Sequence, residues 1–475
     1  LGWALPVVMR KIQIEIKTTN MKNLMILSFL LALVINSYSQ QILWGVTIFG
    51  GDNDDGVIFK YDLSSSTFTK LHDFAIDDTL NGGNPYCSLV RDNNGILFGT
   101  TAYGGTNNKG VLYSFDPDSC KYKVVYSFND STGTPFIHGI MDNRNYDILL
   151  VNDSLIYGVL YKSATTNIFE FNTIQNQLTK LIQIPDDIFQ WHIPGLIKKG
   201  SLLYGISHKW IFSFNYITND FKKIIKPPNF LGVFSKLYLA SNSKIYFTDH
   251  SGGGLEWGSL LEYDSVNDVV NKLHDFEIIL EPDPTVSELK NGTLIGVANY
   301  GIYTYNIDNN NYEIQFVSWD FSPVSSLTIN SSDEAFGMCR LSKNNSEDLD
   351  YGEIYKYSVS NNSYTVLFNF DSINGRSPGS CSLILTGDIL GTTDNSYTQN
   401  KVKVFPNPAS DEFSINIKNL TKSELSIYNL NGEIIIQKTI TSIDKIVDIN
   451  HLTSGIYLIQ IETGNETYYS RFMKK

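Results

Sequence analysis

One short phrase recurs along the chain, and recurrence at a near-constant period restricts the fold more than composition does. Ile42-Leu-Trp-Gly-Val-Thr47 is followed by Gly50-Gly51, Gly56-Val-Ile-Phe-Lys-Tyr-Asp62 and Phe68-Thr-Lys-Leu-His-Asp-Phe74. The second copy reads Ile96-Leu-Phe-Gly-Thr-Thr101, Gly104-Gly105, Gly110-Val-Leu-Tyr-Ser-Phe-Asp116 and Tyr122-Lys-Val-Val-Tyr-Ser-Phe128. Weaker copies begin at Ile156, Leu203, Ile245, Leu294 and Ala335, with successive starts 54, 60, 47, 42, 49 and 41 residues apart. Each unit holds three clear strands and a shorter fourth, such as Ser88–Val90, joined by turns such as Asp92-Asn-Asn-Gly95 and Asp116-Pro117-Asp118. One such unit cannot bury both of its faces, but units stacked around an axis bury each other's. The expectation is an all-β chain with a seven-bladed β-propeller over residues 40–393.

The phase of the repeats also predicts how the ring closes. The first copy begins at Ile42 without the short strand that precedes the second copy. Ser382-Leu-Ile-Leu385 supplies that strand after the seventh copy and is expected to pair beside Ile42–Thr47. The partial eighth copy, Ile389-Leu-Gly-Thr-Thr393, then lies past the closure. An open solenoid is the alternative, and it leaves the surplus strand without a purpose.

Composition bounds the partners. The chain has formal net charge −13, with Phe and Tyr numbering 27 and 28 against only 18% charged residues. Aromatic-rich, weakly charged sequence suits pleated sheets and argues against disorder. Without a basic cluster the chain lacks the cations that nucleic acid or an anionic membrane demands. From Met21, residues 21–39 show one early Lys, an apolar run and Ser37-Tyr38-Ser39, the three parts of a signal peptide cleaved before Gln40. That run is too short for a transmembrane span. Residues 1–20 read as an upstream extension.

The C-terminal seventy-odd residues alternate strongly: Phe413–Ile417, Leu425–Tyr428, Glu433–Gln437, Ile446–Ile449, Ile456–Ile461 and Tyr468–Phe472. Short strands at this density predict a small Ig-like β-sandwich, entered through Pro406 and Pro408 after a linker at 394–403. An ordinary carbohydrate-binding or fibronectin-like module is the plain alternative. The order of motifs is more particular: Val404-Phe405-Pro406-Asn407-Pro408-Ala409, Gly432 after Asn431, Gly455 and Tyr457 in Thr453-Ser-Gly-Ile-Tyr457, and the end Arg471-Phe-Met-Lys474-Lys475. This string resembles the type A C-terminal sorting domain of cargo of the Bacteroidota type IX secretion system. The resemblance implies passage through the periplasm, engagement of the outer-membrane translocon by residues 404–475, and a secreted or surface location. The blade phrase, with its closing G-x-x-P element at Gly82–Leu89 and Gly375–Leu383, resembles the GloVer tandem repeats of secreted Bacteroidota proteins. That resemblance implies architecture and no activity.

Few residues announce chemistry. His72 and His274 occupy the same place in two copies, and His138, His192, His208, His250 and His451 show no ligand spacing. No nucleophile elbow, P-loop or H-E-x-x-H appears, and no cofactor is implied. Asp52-Asn53-Asp54-Asp55-Gly56 opens like a calcium loop but lacks its bidentate Glu, so a solvated turn competes with a weak calcium site at Asp52 and Asp54. Cys87 and Cys381 precede the same short strand in units adjacent across the closure, which makes them candidates for a disulfide; free buried thiols are the alternative.

Loop geography offers a better site. The loops after each "ILxGxT" strand and the segments leading into the next unit share one face of a propeller. That face gathers Asp52, Asp54, Asp55, Tyr103, Trp191, Trp257, Glu347, Asp348 and Asp350. Aromatic platforms beside carboxylates suit an extracellular glycan or protein ligand. A polysaccharide hydrolase or lyase drawing on the same acids is the second reading, and a structural surface protein with no ligand is the third.

Overall fold

The computed structural model describes residues 40–76, 81–136, 146–152, 154–162, 165–185, 193–207, 210–225, 235–249, 257–277, 282–319, 321–340, 351–379, 381–387, 400–401, 403–405, 409–416, 423–429, 434–441, 446–453, 455–462 and 467–474. The signal-peptide segment, the upstream extension and the partial eighth copy lie outside them. Among the described residues every regular element is a strand. The chain divides into two compact units between Ser396 and Tyr397.

Among the described residues, the larger unit contains seven four-stranded antiparallel sheets. In the second, Val90–Arg91, Leu97–Thr100, Val111–Asp116 and Lys121–Ser127 run in order from one edge to the other. The third to seventh sheets repeat that meander, for example Tyr238–Leu239, Ile245–Asp249, Ser259–Asp264 and Val269–Asp275 in the fifth. The first sheet differs in one strand. Its order is Thr67–Asp73, Val57–Asp62, Ile42–Thr47 and then Ile384–Thr386 from the far end of the unit. Ile42 pairs with Thr386, Leu43 with Leu385 and Trp44 with Ile384, and the Trp44 indole N–H donates to Thr386 Oγ1 at 2.9 Å. The surplus strand thus pairs where the repeat phase placed it.

The repeat phrase has a steric meaning. In six sheets the Gly of the second strand lies opposite an aromatic residue of the third: Gly45–Phe59, Gly99–Tyr113, Gly158–Phe169, Gly205–Phe212, Gly296–Tyr303 and Gly337–Tyr355. A Cβ at Gly99 would stand 2.3 Å from the Tyr113 hydroxyl, and one at Gly45 2.4 Å from the Phe59 ring. The missing side chain is the space the ring fills. The fifth sheet reverses the sizes, with Phe247 opposite Leu261 and both buried. The larger side chain has moved to the other strand of the pair, a swap that roughly conserves volume and that cores tolerate.

Hydrophobic clusters join consecutive sheets. Phe98 and Phe128 of the second pack with Ile156 and Phe169 of the third. Leu203 and Phe212 of the fourth join Tyr157 of the third, and Ile206 of the fourth joins Phe247 of the fifth. Leu260 of the fifth joins Tyr303 of the sixth, and Ile302 of the sixth joins Tyr355 of the seventh. The remaining cluster holds Phe336 and Ile354 of the seventh with Phe59 of the first and Tyr113 of the second. Packing therefore returns from the last sheet to the first. Phe68 and Phe368 stack across that junction at 3.9 Å and 3°.

The described residues of the smaller unit form two sheets. One has the order Asn400–Lys401, Thr467–Lys474, Gly455–Glu462, Ser423–Tyr428, Ile434–Ile440, and the other Lys403–Phe405, Glu412–Asn416, Ile446–Asp448. Their shared core includes Phe413, Leu425, Val447, Ile459 and Phe472. Two strands of this unit begin inside the segment 394–403 expected as linker.

Candidate functional site

In the first and second sheets the segment leading into the sheet pairs with the loop that follows its second strand. Gly82 and Gly83 pair with Gly104 and Tyr103, and Arg376 bridges to Phe49. The two loop classes predicted to share a face are therefore direct neighbours here. Gly104, at φ 90°, passes so close to Asn81 and Gly82 that a Cβ would meet backbone at 2.3 Å. Only glycine meets both demands.

The described carboxylates of that face, Asp52, Asp54 and Asp55, are engaged within the fold. Asp52 is ion-paired with Lys70 at 2.8 Å, and Lys70 also bonds Asp73. Asp54 accepts a two-pronged contact from Arg376, Nε to Oδ1 at 2.9 Å and Nη2 to Oδ2 at 2.6 Å. That guanidinium holds the Asp54 carboxyl below the usual carboxylate range. Asp54 Oδ1 also accepts the Gly50 N–H, the role Asn108 plays for Gly104 in the second copy. Asp55 accepts the Ile76 N–H at 2.8 Å. Asp52 and Asp54, weighed between a solvated turn and a weak calcium site, are thus ion-paired within the fold, and among the described residues no group of three or more metal-ligating side chains occurs. Trp257 is half-buried; Trp191, Glu347, Asp348 and Asp350 lie outside the described residues.

Tyr103 belongs to an aromatic cluster that sequence reading otherwise missed. Tyr86 stacks on Phe136 at 4.4 Å, Tyr103 lies 6.3 Å from Phe136, and Phe136 meets Tyr146 edge-on at 5.0 Å. Tyr86 and Phe136 follow the prolines of the connecting segments, so only the repeat register signals them. Beside this cluster, the buried Asp147 accepts the Ser88 N–H at 2.7 Å and the Lys236 ammonium at 2.7 Å. Residues from the second, third and fifth sheets are locked together there.

Cys87 and Cys381, candidates for a disulfide, are separate buried thiols, the alternative reading of the pair. Cys87 Sγ accepts the Thr100 N–H at 3.0 Å, as Ser235 and Ser325 hydroxyls accept from Thr248 and Met338 in their own copies. The thiol stands in for a serine that ties two strands, so it is aimed at its own sheet and not at its counterpart. Burial raises the Cys87 thiol to about 12, out of range for redox chemistry near neutral pH.

The repeated histidines are packing residues. His72 stacks on Tyr122 at 4.2 Å and His274 on Tyr312 at 3.8 Å, each bridging to the next sheet, while Phe316 and Phe368 take the same place elsewhere. Burial lowers the His72 pKa to about 4 against an ordinary 6.5. The unfolded chain therefore takes up the proton first on acidification. The stabilisation is complete above pH 6.5, falls as pH drops towards 4, and levels off below; it amounts to about 3 kcal/mol. His72→Phe is expected to keep the urea midpoint at pH 7 and to lose less of it at pH 4.5 than the parent does. Parallel midpoint shifts in the two proteins would refute this assignment.

In the smaller unit, the sorting-motif residues converge. Val404 pairs with Ile415 and Phe405 with Ser414; Ala409 bridges to Lys474, which also pairs with Gly455. Tyr457 stacks on Phe472 at 5.4 Å, and its hydroxyl donates to Thr453 O at 3.0 Å. Pro406, Asn407, Pro408, Gly432 and Lys475 lie outside the described residues. Residues 403–475 match the family described as the secretion system C-terminal sorting domain. The chain carries a type IX C-terminal sorting domain. That sorting domain indicates export to the medium or the cell surface and engagement of the type IX secretion system. Residues 32–167 match the Gloeobacter/Verrucomicrobia repeat. An endo-acting ulvan lyase of Formosa agariphila is 31% identical over 88 residues, which are 18% of this chain and 17% of that protein. The chain thus matches well under two thirds of the curated relative's length. Among solved structures, a provisional 6-phosphogluconolactonase of Bacteroides fragilis aligns with TM-score 0.49 and 13% identity, over 74% of this chain and 98% of the other. An oligogalacturonate lyase of Vibrio parahaemolyticus aligns with TM-score 0.44 and 11% identity, over 75% and 96%. Among the described residues no helix is long and apolar enough to cross a membrane.

Proposed function

We propose that residues 40–387 form a seven-bladed β-propeller closed by Ile384–Thr386, and that the exported sorting-domain protein acts as a binding module for an extracellular glycan or protein. In this reading residues 21–39 direct it to the periplasm, and an Ig-like tail meets the translocon. The return of packing from the seventh sheet to the first supports the ring. The observation that carries binding over turnover is the state of the loop-face acids. Asp52 and Asp54 are ion-paired and Asp55 is hydrogen-bonded within the fold. Among the described residues, every carboxylate whose acidity departs from the ordinary is lowered, as at Asp54 and Glu170. A general acid for glycoside cleavage needs the opposite shift. The likeness to an ulvan lyase favours a polysaccharide lyase as the second reading. Glycan-array binding run alongside turnover of the same polysaccharides separates them. Retention without product is expected, and product formation that disappears on replacing loop acids would overturn the proposal.

A further inference from the structure

The sheets of the smaller unit end in two pairs of outer strands. In the five-stranded sheet these are Asn400–Lys401 and Ile434–Ile440, and in the three-stranded sheet Lys403–Phe405 and Ile446–Asp448. The first of each pair belongs to the stretch by which the chain enters the unit. The second of each pair lies on a common margin, because the Lys438 ammonium donates to Ile446 O at 2.9 Å.

An edge strand offers unpaired N–H and C=O groups, and folded proteins ordinarily guard it with charged or polar side chains. Gln437 and Thr439 are exposed and follow that habit. Ile434 and Ile435 break it, at 52% and 40% exposed, and Ile446 on the companion strand is 52% exposed. Among the described residues of the unit, the exposed large apolar side chains all lie on this margin. The register explains the outward turn. Ile427 pairs with Ile436 and Tyr428 with Ile434, which leaves Ile435 opposite no residue of the neighbouring strand. A bulge of this kind re-aims a side chain, and bulges gather at sheet edges and beside sites. Ile436 packs on the unit's core, so the strand is anchored while its two neighbours face out.

The unit that bears this margin is the sorting domain, and its match indicates engagement of the type IX secretion system. A domain that must be held by a partner, with its bare aliphatic side chains gathered on one strand edge, fits an extended partner segment carrying apolar side chains. We propose that Ile434–Ile440 is the docking edge of the sorting domain, to which the export machinery adds a strand of its own. Main-chain hydrogen bonds along the edge give affinity, and Ile434, Ile435 and Ile446 supply the apolar contact that selects the partner. This rests on the reading that the tail meets the translocon, and it names the surface and the mode. The motif residues Ala409, Gly455 and Lys474 lie outside the edge; in this arrangement they build the fold that presents it.

The test follows delivery of the full chain in cells, by fractionation and surface proteolysis, together with a photoreactive benzophenone amino acid in place of Ile435 to capture what touches the edge. Ile434→Lys combined with Ile435→Lys supplies the missing guard and is expected to reduce surface delivery about tenfold or more. The urea midpoint of the purified chain is expected to stay unchanged, because both side chains are exposed. Ile217→Lys, at a 68% exposed site of the larger unit, is expected to be delivered as the parent is. The photoreactive chain is expected to form an adduct with an outer-membrane component of the export system, and to lose it when Ile434→Lys is added. If the paired lysines lower the midpoint, the adduct decides: its formation supports the edge and its absence refutes it. Parent-level delivery of the paired-lysine chain overturns the docking edge, and so does an adduct with a second copy of this chain in place of the export component. In either case, periplasmic retention of a chain ending at Ser396 leaves the sorting reading standing, and normal delivery of that chain removes both.

Discussion

A chain ending at Ser396 is expected to fold and to accumulate in the periplasm instead of reaching the surface or the medium. The expectation follows from two separate cores. The tail's buried residues run from Ala409 to Phe472, and those of the sheets from Leu43 to Leu383. Removing the tail takes nothing from the clusters that join the seven sheets, so loss of export will not be a by-product of unfolding. Cell fractionation with surface proteolysis reads the outcome, and normal delivery of the shortened chain would sink the sorting role. A companion variant asks whether the address is a string or a shape. Phe472 is 1% exposed and contacts both Phe413 and Tyr457. Phe472→Ala in the full chain should cost about 3–5 kcal/mol, enough to unfold a domain of this size. Export is then expected to fail although the rest of the motif is intact, because Ala409, Gly455 and Lys474 come together only when the two sheets form.

Much of this architecture was legible because its cause is local. The alternation in Leu425–Tyr428 or Ile456–Ile461 marks strands whatever surrounds them, and the phase of the repeats alone points to the partner of Ile42–Thr47. The recurrent Gly was visible as a letter, but its reason, an aromatic ring across the strand, needed the register that pairs Gly99 with Tyr113. The fifth copy carries Phe247 where the other six carry Gly and Leu261 where they carry an aromatic ring, so one letter of the phrase breaks there while both residues stay buried opposite each other. The candidate site was harder to read. Sequence shows that Asp54 is acidic and lies in a loop, but not that Arg376, 322 residues later, is brought against it where its segment bridges to Phe49. Likewise Cys87 looked like half of a disulfide until its sulfur was seen accepting the Thr100 N–H in a position other copies give to Ser.

The largest effect on stability is expected from a few residues at the junction. Compared with the chain ending at Ser396, one ending at Gly379 should lose about 5 kcal/mol or more, read as a lower urea midpoint and as new proteolytic cleavage in the first sheet. Those residues include Cys381 and Leu383, both nearly inaccessible within the cluster shared by the seventh, first and second sheets. They also carry three bonds to three different sheets. The Trp44 indole donates to Thr386 Oγ1, the Ser382 N–H donates to Ser88 Oγ at 2.7 Å, and the Thr328 hydroxyl donates to Leu383 O at 2.6 Å. In an open array of repeats, removing a terminal strand costs one interface and the rest holds. In a closed ring the same strand holds two ends of the chain together, and its loss leaves apolar faces of the first and seventh sheets without their cover. A small change in midpoint, of the size expected for one frayed edge strand, would therefore favour the open solenoid over the ring. The position of the strand also bears on export. The segment that closes the sheets is the last one before the sorting domain, so the unit cannot be completed until synthesis has nearly reached its address.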